Sequence, residues 1–196
     1  MVTVYRLIFS TDFQQLSLKD PAKFHATYPQ PFCGLPMQAE WGDSFADPVE
    51  LAVDDRIKPA ADFTRLMDAG FVVRFRPTGG DDLLNEVISC GEPIGARIDD
   101  EQCVAVSVHV TNALDPERSE VVRNAAGEII SIRRYEFIPR RLDQNVFKLP
   151  ETAGLEMFTY TTGRYTEAME QAVELVPGYV HYELTGLRFE PVWSSE

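Results

Sequence analysis

The side chains that could serve as nucleophile, base and orienting acid lie close together in one stretch of this chain. Ser107 and His109 occupy alternate positions of a segment that also carries Cys103, and Asp115 follows shortly after. A hydroxyl or thiol activated by an imidazole, itself oriented by a carboxylate, is the arrangement of hydrolases and group transferases. The pattern stops there. Ser107 lies in no Gly-x-Ser-x-Gly elbow, and Gly79-Gly80 precedes a helical stretch without the Lys and Ser/Thr that bind phosphate. A histidine on the polar side of a strand also serves as an ordinary hydrogen-bonded sheet residue. His25, His109 and His181, with Cys33, Cys90 and Cys103, show no ligand spacing for zinc, so no metal and no cofactor is expected. The expectation is a chain without catalytic residues, with a small hydrolase or transferase around Ser107, His109 and Asp115 as the rival.

The elements that must position these residues follow from periodicity. Cys103 to Val110 predicts a central strand: Val104, Val106, Val108 and Val110 form an apolar face, and Cys103, Ala105, Ser107 and His109 form a small or polar one. Further strands are predicted over Val2–Phe9, Gly70–Phe75, Glu128–Ile138 after a turn at Asn124–Gly127, and Phe158–Thr161, with strand, turn and strand over Val180–Trp193. A helix is predicted to begin at Thr78 with Asp81 in a capping arrangement, placing Leu83, Leu84, Val87 and Ile88 on one face and ending at Gly91. A second amphipathic helix is predicted over Gly163–Val176. From the end of the first strand to about Arg56 the chain is rich in Pro, Gly and Asp and predicts loop, with a short helix at Pro21–Thr27. The expected fold class is α+β, a mostly antiparallel sheet flanked by two or three helices, with a long irregular N-terminal loop region. One domain is expected over 1–196, divided into a variable part, 1–57, and a core, 58–196.

Charge narrows the partners. The chain holds 31 acids against 18 Lys and Arg, and the windows 40–55 and 81–101 together carry a net −12 of its −13. The first window contains Glu40, Asp43, Asp47, Glu50, Asp54 and Asp55 with no Lys or Arg, interleaved with Trp41 and Phe45. Acids beside aromatics suit a docking surface, since rings anchor and charges steer, while Trp41 and Phe45 folded onto the core is the other reading. The second window is partly explained by a helix N-terminus at Asp81 and Asp82, a solvent face carrying Asp82 and Glu86, and a turn at Asp99–Glu101. So acidic a chain points to a basic protein partner and away from nucleic acid or an anionic membrane. The basic stretch Arg118–Lys148, with Arg123, Arg133, Arg134, Arg140 and Arg141, nets only +3 and is expected to pair with the protein's own carboxylates or a second subunit. No stretch approaches the roughly 18–20 apolar residues of a membrane span, the N-terminus carries no signal-peptide pattern, and an odd number of cysteines fits reduced thiols. The cytoplasm is the expected compartment.

Three ordered elements in the second half carry a resemblance: Val108-His109-Val110-Thr111-Asn112-Ala113-Leu114-Asp115-Pro116-Glu117-Arg118-Ser119-Glu120, then Val146-Phe147-Lys148-Leu149-Pro150, then Leu184-Thr185-Gly186-Leu187-Arg188-Phe189-Glu190-Pro191-Val192-Trp193. Over about Lys58–Glu196 the chain resembles the immunity-protein family numbered eleven of bacterial polymorphic-toxin systems, formerly a domain of unknown function. The resemblance implies neutralisation of a cognate toxin by binding it, occluding its active site or locking its conformation, with no enzymatic activity. None of the three elements is a catalytic motif. Bottom-up, Asp115 and Ser119 cap a turn, Gly186 permits one, and Leu187, Phe189, Val192 and Trp193 anchor a strand. The first 57 residues match poorly and Pro29–Asp55 departs most, so Glu40, Trp41, Asp43, Phe45, Asp47, Glu50, Asp54 and Asp55 are the expected partner-binding residues. The partner is expected to be a basic toxin domain, and the free chain a monomer or homodimer. A toxin-independent homo-oligomeric module is a further alternative.

Overall fold

The computed structural model describes residues 1–28, 45–67, 70–75, 80–152, 156–162 and 174–195. In chain order they form β1 (Thr3–Phe9), β2 (Leu16–Leu18), α1 (Pro21–Thr27), β3 (Val49–Val53), β4 (Phe63–Leu66), β5 (Gly70–Arg74), α2 (Asp81–Ile88), β6 (Gly91–Ile98), β7 (Glu101–Val108), β8 (Glu120–Arg123), β9 (Ile129–Arg134), β10 (Val146–Lys148), β11 (Met157–Thr161), α3 (Leu175–His181) and β12 (Leu187–Ser194). The class is α+β and mostly strand. A six-stranded sheet has the order β2-β3-β6-β7-β5-β4, a four-stranded sheet the order β10-β11-β1-β12, and among the described residues β8 and β9 form a two-stranded ribbon. Every pairing between named strands is antiparallel except β3 with β6.

Alternation along the strands builds three apolar layers. Between the two sheets, Phe71, Val73, Val104, Val106 and Val108 meet Leu7, Val146, Met157 and Leu187, and the cluster also takes Leu83, Leu84 and Val87 of α2 and Leu175 of α3. On the far side of the six-stranded sheet, Leu51, Val72, Ile94, Cys103 and Ala105 are covered by Phe24 and Tyr28 from α1 and its C-cap. On the far side of the four-stranded sheet, Val4, Phe147 and Phe158 pack with Leu114, Tyr135, Phe137 and Leu149. Both faces of β7 are therefore buried, and its small-residue face is core as well as its valine face. The strand is central, as its sequence predicts.

Helix α1 has the bounds its sequence predicts. Pro21 sits in its first turn, the Asp20 side chain accepts from the Lys23 N–H at 2.9 Å, and the Tyr28 N–H closes the last turn on the Phe24 carbonyl. Proline there has no N–H to leave unsatisfied. Strand β12 lies at a sheet edge, where the Tyr179 hydroxyl both donates to the Leu187 carbonyl and accepts from its N–H. Pro191 within the same strand removes another donor that a foreign strand would use.

Several expectations are corrected. Where it is described, the stretch from the end of β1 to Arg56 is irregular around α1 and two short strands the sequence does not predict, β2 and β3, which extend the six-stranded sheet; 29–44 lies outside the described residues. Helix α2 begins at Asp81 with Gly80 at the cap position and no side-chain cap, so Asp81 is a first-turn residue; Thr78 lies outside the described residues. Its run ends at Ile88, and Gly91 instead starts β6. Strand β7 stops at Val108, because His109 and Thr111 cross to the other sheet and bond the backbone of Lys148. The predicted strand Glu128–Ile138 narrows to β9, and its partner β8 was not anticipated. Val180 belongs to α3 rather than to a strand, and the predicted helix Gly163–Val176 lies outside the described residues up to 173, with Val176 inside α3.

Candidate functional site

The paper triad does not assemble. His109 Nε2 stands 3.3 Å from Glu92 Oε1, on the neighbouring strand β6. Asp115 Oδ1 instead accepts the N–H groups of Glu117 and Arg118 at 3.1 and 3.2 Å, capping the turn that leads to β8. Ser107 Oγ is buried without a hydrogen-bond partner, and the Ser107 carbonyl packs against Gly91. Cys103, on the same face as Ser107, is buried, and burial followed by the charge of Glu101 pushes its thiol up to about 12. A thiol so placed is not a nucleophile at neutral pH. The described residues hold no group of three or more His, Cys, Asp or Glu placed to bind a metal. None of the described helices is long and apolar enough to cross a membrane.

The acidic window is divided by the fold. Glu40, Trp41 and Asp43 lie outside the described residues. Glu50, on β3, faces its β6 neighbour Arg97, which donates Nε at 2.7 Å and a second N–H, while Lys19 Nζ stands at 3.4 Å. The hydrogen bond from Arg97 holds the Glu50 carboxyl below its ordinary value of 4.5. Asp47 pairs with Lys23 at 2.9 Å, Asp54 accepts from Ser17 at 2.7 Å, and Asp55 lies 3.7 Å from Lys58. Beside them Arg56 grips Asp99 with two donors, and that contact lowers the Asp99 pKa. The window lacks cations of its own, yet Lys19, Lys23, Lys58 and Arg97 reach it from outside. Self-repulsion is offset there, and solvent-exposed pairs of this kind are weak and exchange readily.

Phe45 is 56% exposed and Phe75 41%. They line a groove of about 180 Å³ with Pro48, Ala96, Gln102 and Cys103. Phe45 therefore stands at the surface rather than folded into the core.

The three ordered elements, far apart in sequence, each send side chains to the far side of the four-stranded sheet, while their Val108, Val146, Leu184 and Leu187 enter the layer between the sheets. Leu114, Phe147 and Leu149 are buried in the third apolar layer, and Trp193 packs against it. Phe137 is the shared neighbour, with ring centroids 6.2 Å from Phe147 and 5.9 Å from Trp193. Glu136 ties the polar groups: its carbonyl accepts the Asp115 N–H at 2.8 Å, its N–H donates to Ser119 Oγ at 3.0 Å, and its carboxylate accepts Trp193 Nε1 at 3.0 Å. Nearby, Glu156 bonds both Arg6 and the Tyr135 hydroxyl at 2.6 Å. Burial, then this carboxylate, raises the Tyr135 pKa. Neither Glu136 nor Phe137 stood out in the sequence, where they read as two residues of one strand; only the bridge between Leu114 and Phe137 reveals their position.

No protein-family model matches the chain, and no curated protein matches it.

Proposed function

We propose that the chain is an immunity protein that binds a cognate toxin domain in the cytoplasm and neutralises it by covering its active site or locking its conformation. The observation that carries the reading is the convergence of the three ordered elements on Glu136 and Phe137. Elements of a catalytic centre would bring reactive groups to a cleft, whereas these bring capping groups and rings to a core. Such elements specify a scaffold, and recognition then falls to the surface they support.

On that surface the residues put forward remain Glu40, Trp41, Asp43, Phe45, Asp47, Glu50, Asp54 and Asp55. The exposed ring of Phe45 offers an anchor, and the lysines that screen Asp47 and Asp55 are themselves exposed, so a partner's cations can replace them. Glu50 differs from the others because its bond to Arg97 joins β3 to β6. The test is charge reversal to Lys at Asp43, Asp47, Asp54 and Asp55, leaving Glu50 native. Rescue of cells that express the toxin weakens, circular dichroism stays unchanged, and in the native protein the association rate falls as salt rises. Full rescue by that variant removes the window from the interface.

A further inference from the structure

A sheet edge presents unpaired N–H and C=O groups to any foreign strand, and folded proteins obstruct such edges by recognisable devices. The two sheets end in β2, β4, β10 and β12. Three of these edges are obstructed. On β10 the Val146 N–H donates to Cys90 Sγ at 3.2 Å, the Lys148 N–H donates to the His109 carbonyl at 3.0 Å, and the Lys148 carbonyl accepts the Thr111 N–H at 2.8 Å. On β4 the Phe63 N–H donates to the Thr185 carbonyl at 3.1 Å, and Gly186 packs on the Phe63 carbonyl so closely that a Cβ would stand 2.0 Å from its oxygen. On β12 the Tyr179 hydroxyl occupies both groups of Leu187, and Pro191 has no N–H. The β8–β9 ribbon carries charged side chains and two register shifts, which also discourage pairing.

β2 differs. Its pairing with β3 runs through odd-numbered residues: the Asp54 N–H donates to the Gln15 carbonyl and the Lys19 N–H to the Glu50 carbonyl, both at 3.0 Å. Antiparallel bonding alternates along a strand, so Leu16 and Leu18 turn their N–H and C=O groups away from β3. Among the described residues nothing bonds those groups. β2 itself is three residues long, but the paired stretch extends from Gln15 to Lys19. Leu16 belongs to the apolar layer with Leu51 and Ile94, and Leu18 packs half-buried against it.

We propose that this edge pairs with the same edge of a second copy, antiparallel about a two-fold axis at Ser17. Outward groups two positions apart are self-complementary, because Leu16 can exchange both hydrogen bonds with the partner's Leu18 while the partner's Leu16 does the same with Leu18. That register sets leucine against leucine on the apolar face and Gln15 against the partner's Lys19 on the polar one, so no like charges oppose each other across the axis. A basic strand from another protein has less in its favour. Of the carboxylates along this edge, Glu50 already pairs with Lys19 and Arg97, and Asp54 accepts from Ser17. Two chains of −13 repel at long range, so the dimer tightens as salt rises, opposite in sign to the toxin association. The assignment goes beyond the toxin reading and does not depend on it.

The test is sedimentation of the purified chain from micromolar to about millimolar concentration, with disulfide trapping in a Cys33→Ser background. A dimer that increases with concentration and with salt is expected. Ser17→Cys cross-links on oxidation, because Cα atoms of a non-hydrogen-bonded antiparallel pair lie about 4.5 Å apart. Gln15→Cys does not, since two copies of that residue stand roughly 14 Å apart in this register. Ser17→Lys sits beside Asp54 in the free chain but opposes its own copy across the axis, and it weakens dimerisation about tenfold or more. Urea unfolding checks that each variant folds. A chain that stays monomeric throughout overturns the proposal, as does native dimerisation of Ser17→Lys or equal cross-linking at Gln15→Cys and Ser17→Cys. A monomeric chain that binds a labelled peptide of alternating Lys and Val gives the edge to a basic strand of another protein instead.

Discussion

Three glycines offer a separation of two physical terms that usually act together. Gly127, in the turn between β8 and β9, has φ of 85° and nothing within 4 Å of where a Cβ would stand. Gly91, at the start of β6, has an ordinary φ, but a Cβ there would lie 2.3 Å from the Ser107 carbonyl oxygen. Gly186, before β12, has both constraints: φ of 102° and a Cβ position 2.0 Å from the Phe63 carbonyl oxygen. Alanine at Gly127 costs about 1 kcal/mol, the left-handed penalty less a few tenths recovered from the stiffer unfolded chain. At Gly91 the cost is about 2–3 kcal/mol, because two paired strands must part to admit a methyl. At Gly186 the terms combine to about 3–5 kcal/mol, enough to unfold a marginally stable domain. Urea unfolding followed by far-UV circular dichroism gives all three from midpoints at a common slope. The ranking Gly127 below Gly91 below Gly186 is the predicted result. Equal effects at Gly127 and Gly186 refute the close approach of β12's lead-in to Phe63, and a neutral Gly91→Ala refutes the β6–β7 contact.

Two further predictions concern titrating groups. Burial pushes the Cys90 thiol up to about 11 and the Cys103 thiol up to about 12; a Cys33→Ser variant therefore reacts with a thiol reagent at pH 8 only at its rate of opening, and prompt labelling of either cysteine contradicts their burial. The Glu50 carboxyl sits below its ordinary value because of the Arg97 hydrogen bond, so its contribution to stability is present above about 4.5 and is lost as pH falls through the lowered value. Arg97→Gln lowers the urea midpoint at pH 7 and flattens its decline below pH 4.5, whereas a decline parallel to the native protein's rules out that pair as the source.

The legible parts of the fold were those with strong local signals. Central β7 announced itself through alternating valines, and α1 through Asp20, Pro21 and an apolar Phe24. Strands β2 and β3 did not, because they are short and get their stability from distant partners: β3 pairs in parallel with β6, and β2 pairs with β3. Val180 is β-branched and reads as strand, yet α3 is settled by the tertiary packing of Leu175 and Tyr179 on the core. The same limit governs the site. Composition revealed the acid density of 40–55, but not Arg97 or Lys19, which neutralise Glu50 only once β3 lies beside β6. It placed Ser107 and His109 near each other, but could not show Glu92 taking the histidine and the Asp115 turn taking its own carboxylate. Proximity in sequence measures local density, while partners are assigned by topology.

The proposed function of the chain is to neutralise a toxin by binding it. Its most direct test is titration of the purified chain into the toxin domain encoded by the neighbouring gene, with binding followed by calorimetry and toxin activity measured in the same mixtures. Saturable tight binding, toxin activity falling in proportion to complex formed, and an association rate that declines with salt are expected. No neighbouring toxin gene, no binding, or binding that leaves the toxin fully active contradicts it.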